Sequence, residues 1–224
     1  MKLVTTPRID LLRQLRDQFQ RDYPRGRTML AVDGASGSGT AEFADGLAAV
    51  FGEAGRAVFR ASIDDFHRPR EQRYARGRDD AAGYWLDSFD YSLFRRALIE
   101  PFRLAGSTGF QLVGFDEGRD VGAQLRWTTG PQDAVLIVDG VFLNRPELRG
   151  IWHGSMRLQV PRTVAYERLH ARLGVDTDPA AASNARYVGG EALYRKDDDP
   201  AARASVIVDN TDEARPQWVF ADFC

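Results

Sequence analysis

The 224-residue sequence predicts an α/β fold built around a mainly parallel sheet. Short apolar runs without polar alternation, such as residues 134–138, are typical of strands that are covered on both faces. Segments with apolar residues at three- and four-residue spacing separate these runs, which is the order expected of βαβ units. Neither a repeat nor a shift in composition divides the chain, so residues 1–224 are predicted to form one domain.

Each element follows from a local pattern. Residues 1–26 predict an N-terminal helix with Thr6 as its cap, Pro7 in its first turn and apolar residues from Ile9 to Phe19 on one face. Further predicted helices cover residues 42–51, 91–102 and 162–173. Predicted strands cover residues 28–32, 57–63, 134–138, 155–160 and 206–208. The pattern of residues 106–131 is ambiguous and leaves room for short strands, for example at 109–113. Residues 67–80 read as a polar loop, and about 174–204 as a loop or small helical lid.

The composition narrows the classes of function. A formal net charge of -2 does not favour nonspecific nucleic-acid binding. No run of about 18 apolar residues predicts a membrane span, and residues 1–7 lack the apolar stretch of a signal peptide. The one cysteine, Cys224, cannot build a disulfide framework or a cysteine zinc site. We therefore expect a cytoplasmic protein without nucleic-acid or membrane partners, and self-association into a homo-oligomer is left open.

A glycine-rich segment directly follows the first predicted strand and precedes a helix. Such a loop cradles phosphate through backbone N–H groups and the helix N-terminus, which predicts a P-loop NTPase three-layer sandwich. The candidate phosphate-binding residues are Gly34, Ala35, Ser36, Gly37, Ser38, Gly39, Thr40 and Ala41. The Walker A pattern requires lysine and then serine or threonine after its last glycine, where this chain has Thr40 and Ala41. A dinucleotide loop would need glycine at Glu42 and fits worse, and a glycine-rich turn without a ligand stays open.

Carboxylates end two other predicted strands. Asp64 could accept the proton of an attacking hydroxyl group, and Asp139 could act on Mg²⁺ as a Walker B acid. Each could instead be an ordinary cap or turn residue. Arg168 and Arg172 lie four residues apart on one predicted helix, where they could reach phosphates or could form a solvated face.

The order of these motifs resembles the uridine kinase and phosphoribulokinase family of P-loop kinases. The resemblance spans about residues 28–210. It rests on the segments Asp33–Gly39 followed by Phe43-Ala44, Ser62–His67, Asp87–Asp90 and Val138–Phe142, and on Arg168 and Arg172. Residues 186–190 and 204–210 further resemble a bacterial uridine-kinase-like branch.

This resemblance implies transfer of the γ-phosphate of ATP to a hydroxyl group of a nucleoside-like molecule. It assigns Asp64 as the catalytic base, Asp139 as the residue that organises Mg²⁺, and Arg168 and Arg172 as lid arginines. Candidates for the acceptor pocket are His67, Tyr84, Asp87, Asp116 and Arg119.

Thr40 and Ala41 depart from the family at the two side chains that serve ATP and metal. Three hypotheses follow. The chain is a working kinase whose phosphate site is rebuilt with an arginine from the lid or with Arg68 or Arg70; it is a pseudokinase that binds a nucleotide or metabolite; or it is a repurposed enzyme that performs other chemistry.

Overall fold

The computed structural model describes residues 2–221, so Cys224 lies outside the described residues. Its strands are β1 Thr28–Gly34, β2 Ala57–Ser62, β3 Phe115–Asp116, β4 Val121–Gly122, β5 Ala134–Gly140, β6 Gly154–Gln159, β7 Val206–Asp209 and β8 Gln217–Ala221. Six of them form a sheet in the order β2-β5-β1-β6-β7-β8, in which the only antiparallel pair among the described residues is β7 with β8. Strands β3 and β4 form a separate antiparallel hairpin.

Helices lie between the strands. The α-helices are α1 Pro7–Asp22, α2 Thr40–Glu53, α3 Arg70–Arg73, α4 Ala81–Asp87, α5 Tyr91–Phe94, α6 Glu100–Leu104, α7 Arg162–Leu173, α8 Ala185–Asp198 and α9 Pro200–Arg203. Short 3₁₀ turns cover Ile63–Phe66, Pro146–Leu148 and Ala182–Asn184. Within residues 2–221, no helix has both the length and the apolar character that a bilayer crossing needs.

The sheet is the middle of three layers, as the sequence predicts. Every residue of β1 and of β5 is buried. Side chains alternate across a strand, so Met29 and Ala31 join one hydrophobic core while Leu30 and Val32 join the other. The second core includes the apolar face of α1, and Thr6 caps that helix by accepting a hydrogen bond from the Ile9 N–H (3.2 Å). The fully apolar runs are thus explained by burial on both faces.

The region from residue 91 to 131 differs from the prediction in two ways. The predicted helix 91–102 is interrupted by a π-helical turn, Arg95–Ile99. Pro101 has no N–H group to donate to the Ala97 carbonyl oxygen, so the Gln111 N–H group donates a hydrogen bond to that oxygen instead (2.9 Å). Residues 106–131 do hold short strands, but none forms at the example 109–113, where only Phe110 makes a bridge, to Thr128. The described strands of this region are the two-residue β3 and β4.

Helix α4 was not predicted, whereas α8 lies in the segment predicted as a loop or small helical lid, and the two helices pack closely against each other. A Cβ atom on Gly190 would lie 2.6 Å from Cδ1 of Tyr84, and one on Gly189 would lie 2.6 Å from Cβ of Ala81. Two adjacent glycines weaken the helical signal of α8, since glycine disfavours helix interiors. The same glycines let the two helices approach. Helix α8 takes up much of the segment 174–204 that the sequence assigned to a loop or helical lid.

Candidate active site

The glycine-rich loop connects β1 to α2 in a tight turn. Gly37 and Gly39 have left-handed φ values of +80° and +82°, which favour glycine. A Cβ atom on Gly34 would lie 2.1 Å from the Ser38 hydroxyl oxygen, so only glycine fits there. Gly39 is the N-cap of α2 and supplies no side-chain hydrogen bond to its first turn. The first N–H groups of α2 therefore have no cap from that residue, an arrangement suited to an anion.

Asp33 anchors the loop at its base. This fully buried carboxylate accepts hydrogen bonds from the Leu143 N–H (3.2 Å), the Asn144 side-chain amide (3.0 Å) and the Tyr194 hydroxyl (2.8 Å). It also forms an ion pair with Arg157 (2.9 Å). These contacts tie the end of β1 to the segment after β5, to β6 and to α8. The loop is held from below by parts of the chain that are distant in sequence.

A cleft of about 810 Å³ opens at the carboxyl ends of β1, β2 and β5, as expected for parallel α/β sheets. Many of the predicted site residues line it: Ala35, Ser36, Gly37, Gly39, Thr40, Ala41, Asp64, His67, Tyr84, Asp139, Arg168 and Arg172. Motifs separated by more than a hundred residues thus meet in one place.

Three of the predicted acceptor-pocket residues do not line this cleft. Asp87 accepts a hydrogen bond from Arg76 (2.7 Å). Asp116 accepts one from the Arg119 N–H (3.1 Å), and the Arg119 side chain is 83% exposed. Asp116 ends β3 and Arg119 lies in the turn between β3 and β4, and neither side chain lines the cleft, although that of Glu117 does.

The Asp64 carboxylate is open to the cleft while its backbone is fixed. Asp64 lies in the 3₁₀ turn Ile63–Phe66, where the Ser62 hydroxyl accepts its N–H (3.3 Å). Among the described residues, no hydrogen-bond donor contacts its carboxylate. Cleft water still reaches the group, but the surrounding walls remove much of its hydration. Desolvation first, and then the nearby carboxylates Asp139, Glu117 and Asp65, raises the pKa of Asp64 to about 7.

His67 follows the same turn and has a fixed tautomer. Its Nδ1 atom lies 2.7 Å from the Asp64 carbonyl oxygen, which can only accept, so a neutral His67 carries its proton on Nδ1. The ring packs on Phe89 with 4.7 Å between centroids. Burial lowers the pKa of the His67 imidazole, which favours the neutral form. Nε2 is then the ring atom available to a ligand.

Asp139 is not a free Walker B carboxylate, because it is paired with an arginine from β2. The Arg60 Nη2 atom donates to Asp139 Oδ1 at 2.9 Å. Burial raises the pKa of Asp139, and the ion pair with Arg60 opposes that rise. The register places Arg60 beside Ile137 and Ser62 beside Asp139. The pair is therefore built into the sheet.

The two predicted lid arginines lie on α7 and reach the cleft. Arg168 donates to the carbonyl oxygens of Asn210 (3.0 Å) and Thr211 (2.8 Å), and it pairs with Glu213 (3.3 Å). Arg172 pairs with Glu42 of α2 at 3.3 Å. Both guanidinium groups thus already hold protein oxygen atoms.

Tyr84 forms an aromatic wall that contacts the glycine-rich loop. Its hydroxyl lies 3.2 Å from the Ser36 hydroxyl, and its ring packs on Phe142 and Tyr187. Burial raises the pKa of the Tyr84 hydroxyl, so it stays protonated. Arg186 stacks on the same ring at 5.7 Å and donates to carbonyls of residues 73–80, among them that of Asp80 (2.8 Å). Helix α8 thus positions the Tyr84 wall.

The cleft also contains charged residues that the sequence did not indicate, notably Arg60, Arg73, Glu117 and Arg186. The sequence contains one indication that Arg60 belongs to the site, because Arg60 is the only charged residue within β2. Arg68 and Arg70, which the sequence offered as replacements for the Walker A lysine, have other hydrogen-bond partners. Arg68 donates to the Phe89 carbonyl oxygen (3.0 Å), and Arg70 donates to the Glu117 carbonyl oxygen (3.3 Å). Neither lines the cleft.

The donor set does not fit the magnesium site that P-loop kinases use. Magnesium binds nearly octahedral oxygen ligands, and the P-loop hydroxyl supplies one of them. Ala41 has no side-chain oxygen, and the Arg60 guanidinium already donates to one oxygen of the Asp139 carboxylate, Oδ1. The predicted role of Asp139 as a metal ligand conflicts with this pairing.

No protein-family model and no curated protein matches the sequence. Solved structures do match. A possible uridine kinase from Bacillus stearothermophilus aligns with a TM-score of 0.69 at 24% identity, over 89% of this chain and 96% of its own. A proposed fructose transport system kinase from Silicibacter aligns with a TM-score of 0.61 at 28% identity, over 81% and 94%.

A D-glycerate 3-kinase from Cryptococcus neoformans aligns with a TM-score of 0.56 at 12% identity, over 83% of this chain and 87% of its own. At these identities the likeness is mainly one of fold. The activities named for these three proteins differ in their acceptor, so they do not identify a substrate for this chain. The chain has the P-loop kinase fold, and its structural neighbours are uridine kinase-like and related P-loop kinases.

Proposed function

We propose that the protein is a phosphotransferase that moves the γ-phosphoryl group of ATP to a hydroxyl group of a small, nucleoside-like molecule. The observation that carries this proposal is the Asp64 carboxylate, which faces the cleft beside the glycine-rich loop without a hydrogen-bond donor among the described residues. Its pKa of about 7 suits a base that works near neutral pH.

In the proposed reaction, the acceptor hydroxyl oxygen attacks the γ-phosphorus of ATP. The bond between that phosphorus and the bridging oxygen of the β-phosphate breaks, so ADP leaves with the electron pair. Asp64 takes the hydroxyl proton and later releases it to water. The N–H groups of the glycine-rich loop hold the phosphates, and Arg168 and Arg172 approach them from α7.

A screen of acceptors tests this proposal. Purified protein is incubated with ATP and with uridine, cytidine, fructose or D-glycerate, and both ADP and the phosphorylated acceptor are measured. We expect ADP formation that depends on one acceptor and matches the new phosphate ester one to one. A reaction without acceptor gives the background hydrolysis. If ATP binds but no acceptor in an extended panel is phosphorylated, the proposed activity is wrong.

The pH dependence of kcat/KM should follow the ionisation of the Asp64 carboxylate. A base acts only when it is deprotonated, so raising the pH through about 7 should increase kcat/KM, which then levels off. Below that pKa, the rate should fall about tenfold per pH unit. The measurement is kcat/KM from about pH 5.5 to 8.5 in buffers of constant ionic strength, with Asp64→Glu as the variant that keeps a carboxylate. A flat profile across this interval would contradict the assignment of the base.

The second candidate is a pseudokinase that binds a nucleotide or metabolite without turning it over, and Thr40 and Ala41 favour it. If the missing lysine and hydroxyl are the only defect, Thr40→Lys combined with Ala41→Ser should raise turnover about 100-fold or more, since each preorganised donor contributes about 10²–10³ in rate. Acceptor-dependent ADP formation is the readout, and Ala41→Ser alone is the matched control. A folded double variant without any gain would count against this candidate.

A further inference from the structure

We infer that the guanidinium group of Arg60 takes the place of the divalent cation, so that this site binds polyphosphates without a bound metal. The inference rests on the proposed function only in that the ligand carries phosphate groups. It assigns Arg60 as a phosphate-binding residue, and it defines the ligand class as polyphosphates in their metal-free form.

The position of Arg60 supports this role. Its Nη2 atom donates to Asp139 (2.9 Å) and lies 3.5 Å from the Ala41 carbonyl oxygen. Its Nη1 atom donates to the Ile137 carbonyl oxygen at 2.9 Å. The guanidinium therefore bridges the first turn of α2, at the residue that lacks the hydroxyl, and the carboxylate at the end of β5. In a P-loop kinase a metal ion would be shared between these same two elements.

A second cation would not be accommodated easily beside Arg60. Magnesium holds its oxygen ligands at about 2.0–2.1 Å and needs them in nearly octahedral geometry. Ala41 contributes no such ligand, and Asp139 is already neutralised by an arginine that stays protonated at all relevant pH values. Placing Mg²⁺ there would break a mostly buried ion pair and bring two positive groups together.

Arg60 can still turn toward a ligand. It lines the cleft, and its side chain is 23% exposed. Its Nε atom donates to Asp45 (3.0 Å), whose side chain is 73% exposed, so water screens that pair and its net contribution is small. A phosphate oxygen could replace Asp45 while Asp139 keeps its own hydrogen bond. The planar guanidinium is well suited to phosphate oxygens.

No lysine in the chain can serve the phosphates in place of Arg60. Lys2 and Lys196 are the only lysines in the sequence, and neither lines the cleft. The positive charge that the Walker A lysine normally brings must therefore come from arginine. Among the cleft arginines, Arg60 reaches the backbone of the first turn of α2, where its Nη2 atom lies 3.5 Å from the Ala41 carbonyl oxygen.

Calorimetric titration of the wild-type protein is the first test. ATP and inorganic tripolyphosphate are titrated separately, once in EDTA and once in excess Mg²⁺. We expect binding in EDTA, with a Kd no more than about threefold weaker than in Mg²⁺. Binding that requires Mg²⁺ would overturn the inference and leave the proposed phosphotransferase intact. Absence of binding under both conditions would overturn the inference and the proposed ATP donor together.

Two variants separate phosphate binding from simple neutralisation of Asp139. Arg60→Met should weaken binding in EDTA about 10- to 100-fold, the range of a charge-assisted hydrogen bond. Arg60→Met combined with Asp139→Asn removes both charges and should show the same loss. Normal binding by that double variant would mean that Arg60 only neutralises Asp139, and the inference would fail. Arg21→Met, on the exposed surface of α1, controls for the change in net charge, and thermal unfolding checks each fold.

Discussion

Replacing Asp64 by asparagine should lower kcat about 10²- to 10⁴-fold and leave the Kd for ATP nearly unchanged. General base catalysis contributes rate factors of about this size. Asparagine keeps the shape of the side chain but cannot accept the acceptor proton. Because the carboxylate of Asp64 contacts no hydrogen-bond donor among the described residues, its loss should not disturb the fold. Single-turnover rates and calorimetric ATP binding give the two quantities separately.

Asp65→Asn is the matched control, since Asp65 belongs to the same 3₁₀ turn and also lines the cleft. Its effect on kcat should be much smaller than that of Asp64→Asn, because the resemblance assigns the base to the first of the two aspartates. An equal loss in both variants would point to a general effect of charge. Intact kcat in Asp64→Asn would remove Asp64 from the mechanism.

Asp33→Ala should lower the free energy of unfolding by about 3–5 kcal/mol, the cost of removing one partner from a buried ion pair. Asp33 is fully buried and pairs with Arg157, whose side chain is 7% exposed and also pairs with Glu191 of α8. The substitution also leaves the Tyr194 hydroxyl and the Asn144 amide without this acceptor. Urea unfolding followed by circular dichroism measures the change.

Two further variants define the cause of that change. Asp33→Asn keeps part of the hydrogen bonding and loses the charge, so it should be less destabilising than alanine. Asp22→Ala, at the exposed end of α1, should change the free energy of unfolding by no more than about 0.5 kcal/mol. A loss below about 1 kcal/mol for Asp33→Ala would show that Glu191 alone can hold Arg157.

The sheet and its major helices could be predicted because the positions of their apolar residues in the sequence show which faces are buried. The apolar run of β5 and the spacing of Leu12, Leu15 and Phe19 in α1 are such patterns. Helix α7 begins and ends where the sequence predicts, at Arg162 and Leu173. The ends of the strands then bring the glycine-rich loop and the two aspartates together, because parallel strands share one ligand-binding edge.

Other features depend on contacts that no local pattern contains. The pairing of Arg60 with Asp139 depends on the register between β2 and β5. The packing of α4 on α8 depends on glycines that lower helix propensity while allowing close approach. The raised pKa of Asp64 is a property of the assembled cleft walls. These are tertiary effects, and they decide the chemistry of the site more than the motifs do.

Arg168 and Arg172 of α7 should give the cleft a selectivity for charge. Arg168 pairs with Glu213 and Arg172 pairs with Glu42, each at 3.3 Å. Carboxylates of the protein itself therefore balance the charge of both guanidinium groups. To bind these arginines, a ligand must displace the Glu213 and Glu42 carboxylates and put its own oxygen atoms in their place. The free energy of binding is then the difference between the ion pairs that the ligand forms and those that it breaks. A neutral nucleoside offers nothing for this exchange, whereas a chain of phosphates can replace both carboxylates at once. The two α7 arginines should thereby favour multiply charged ligands before any acceptor enters.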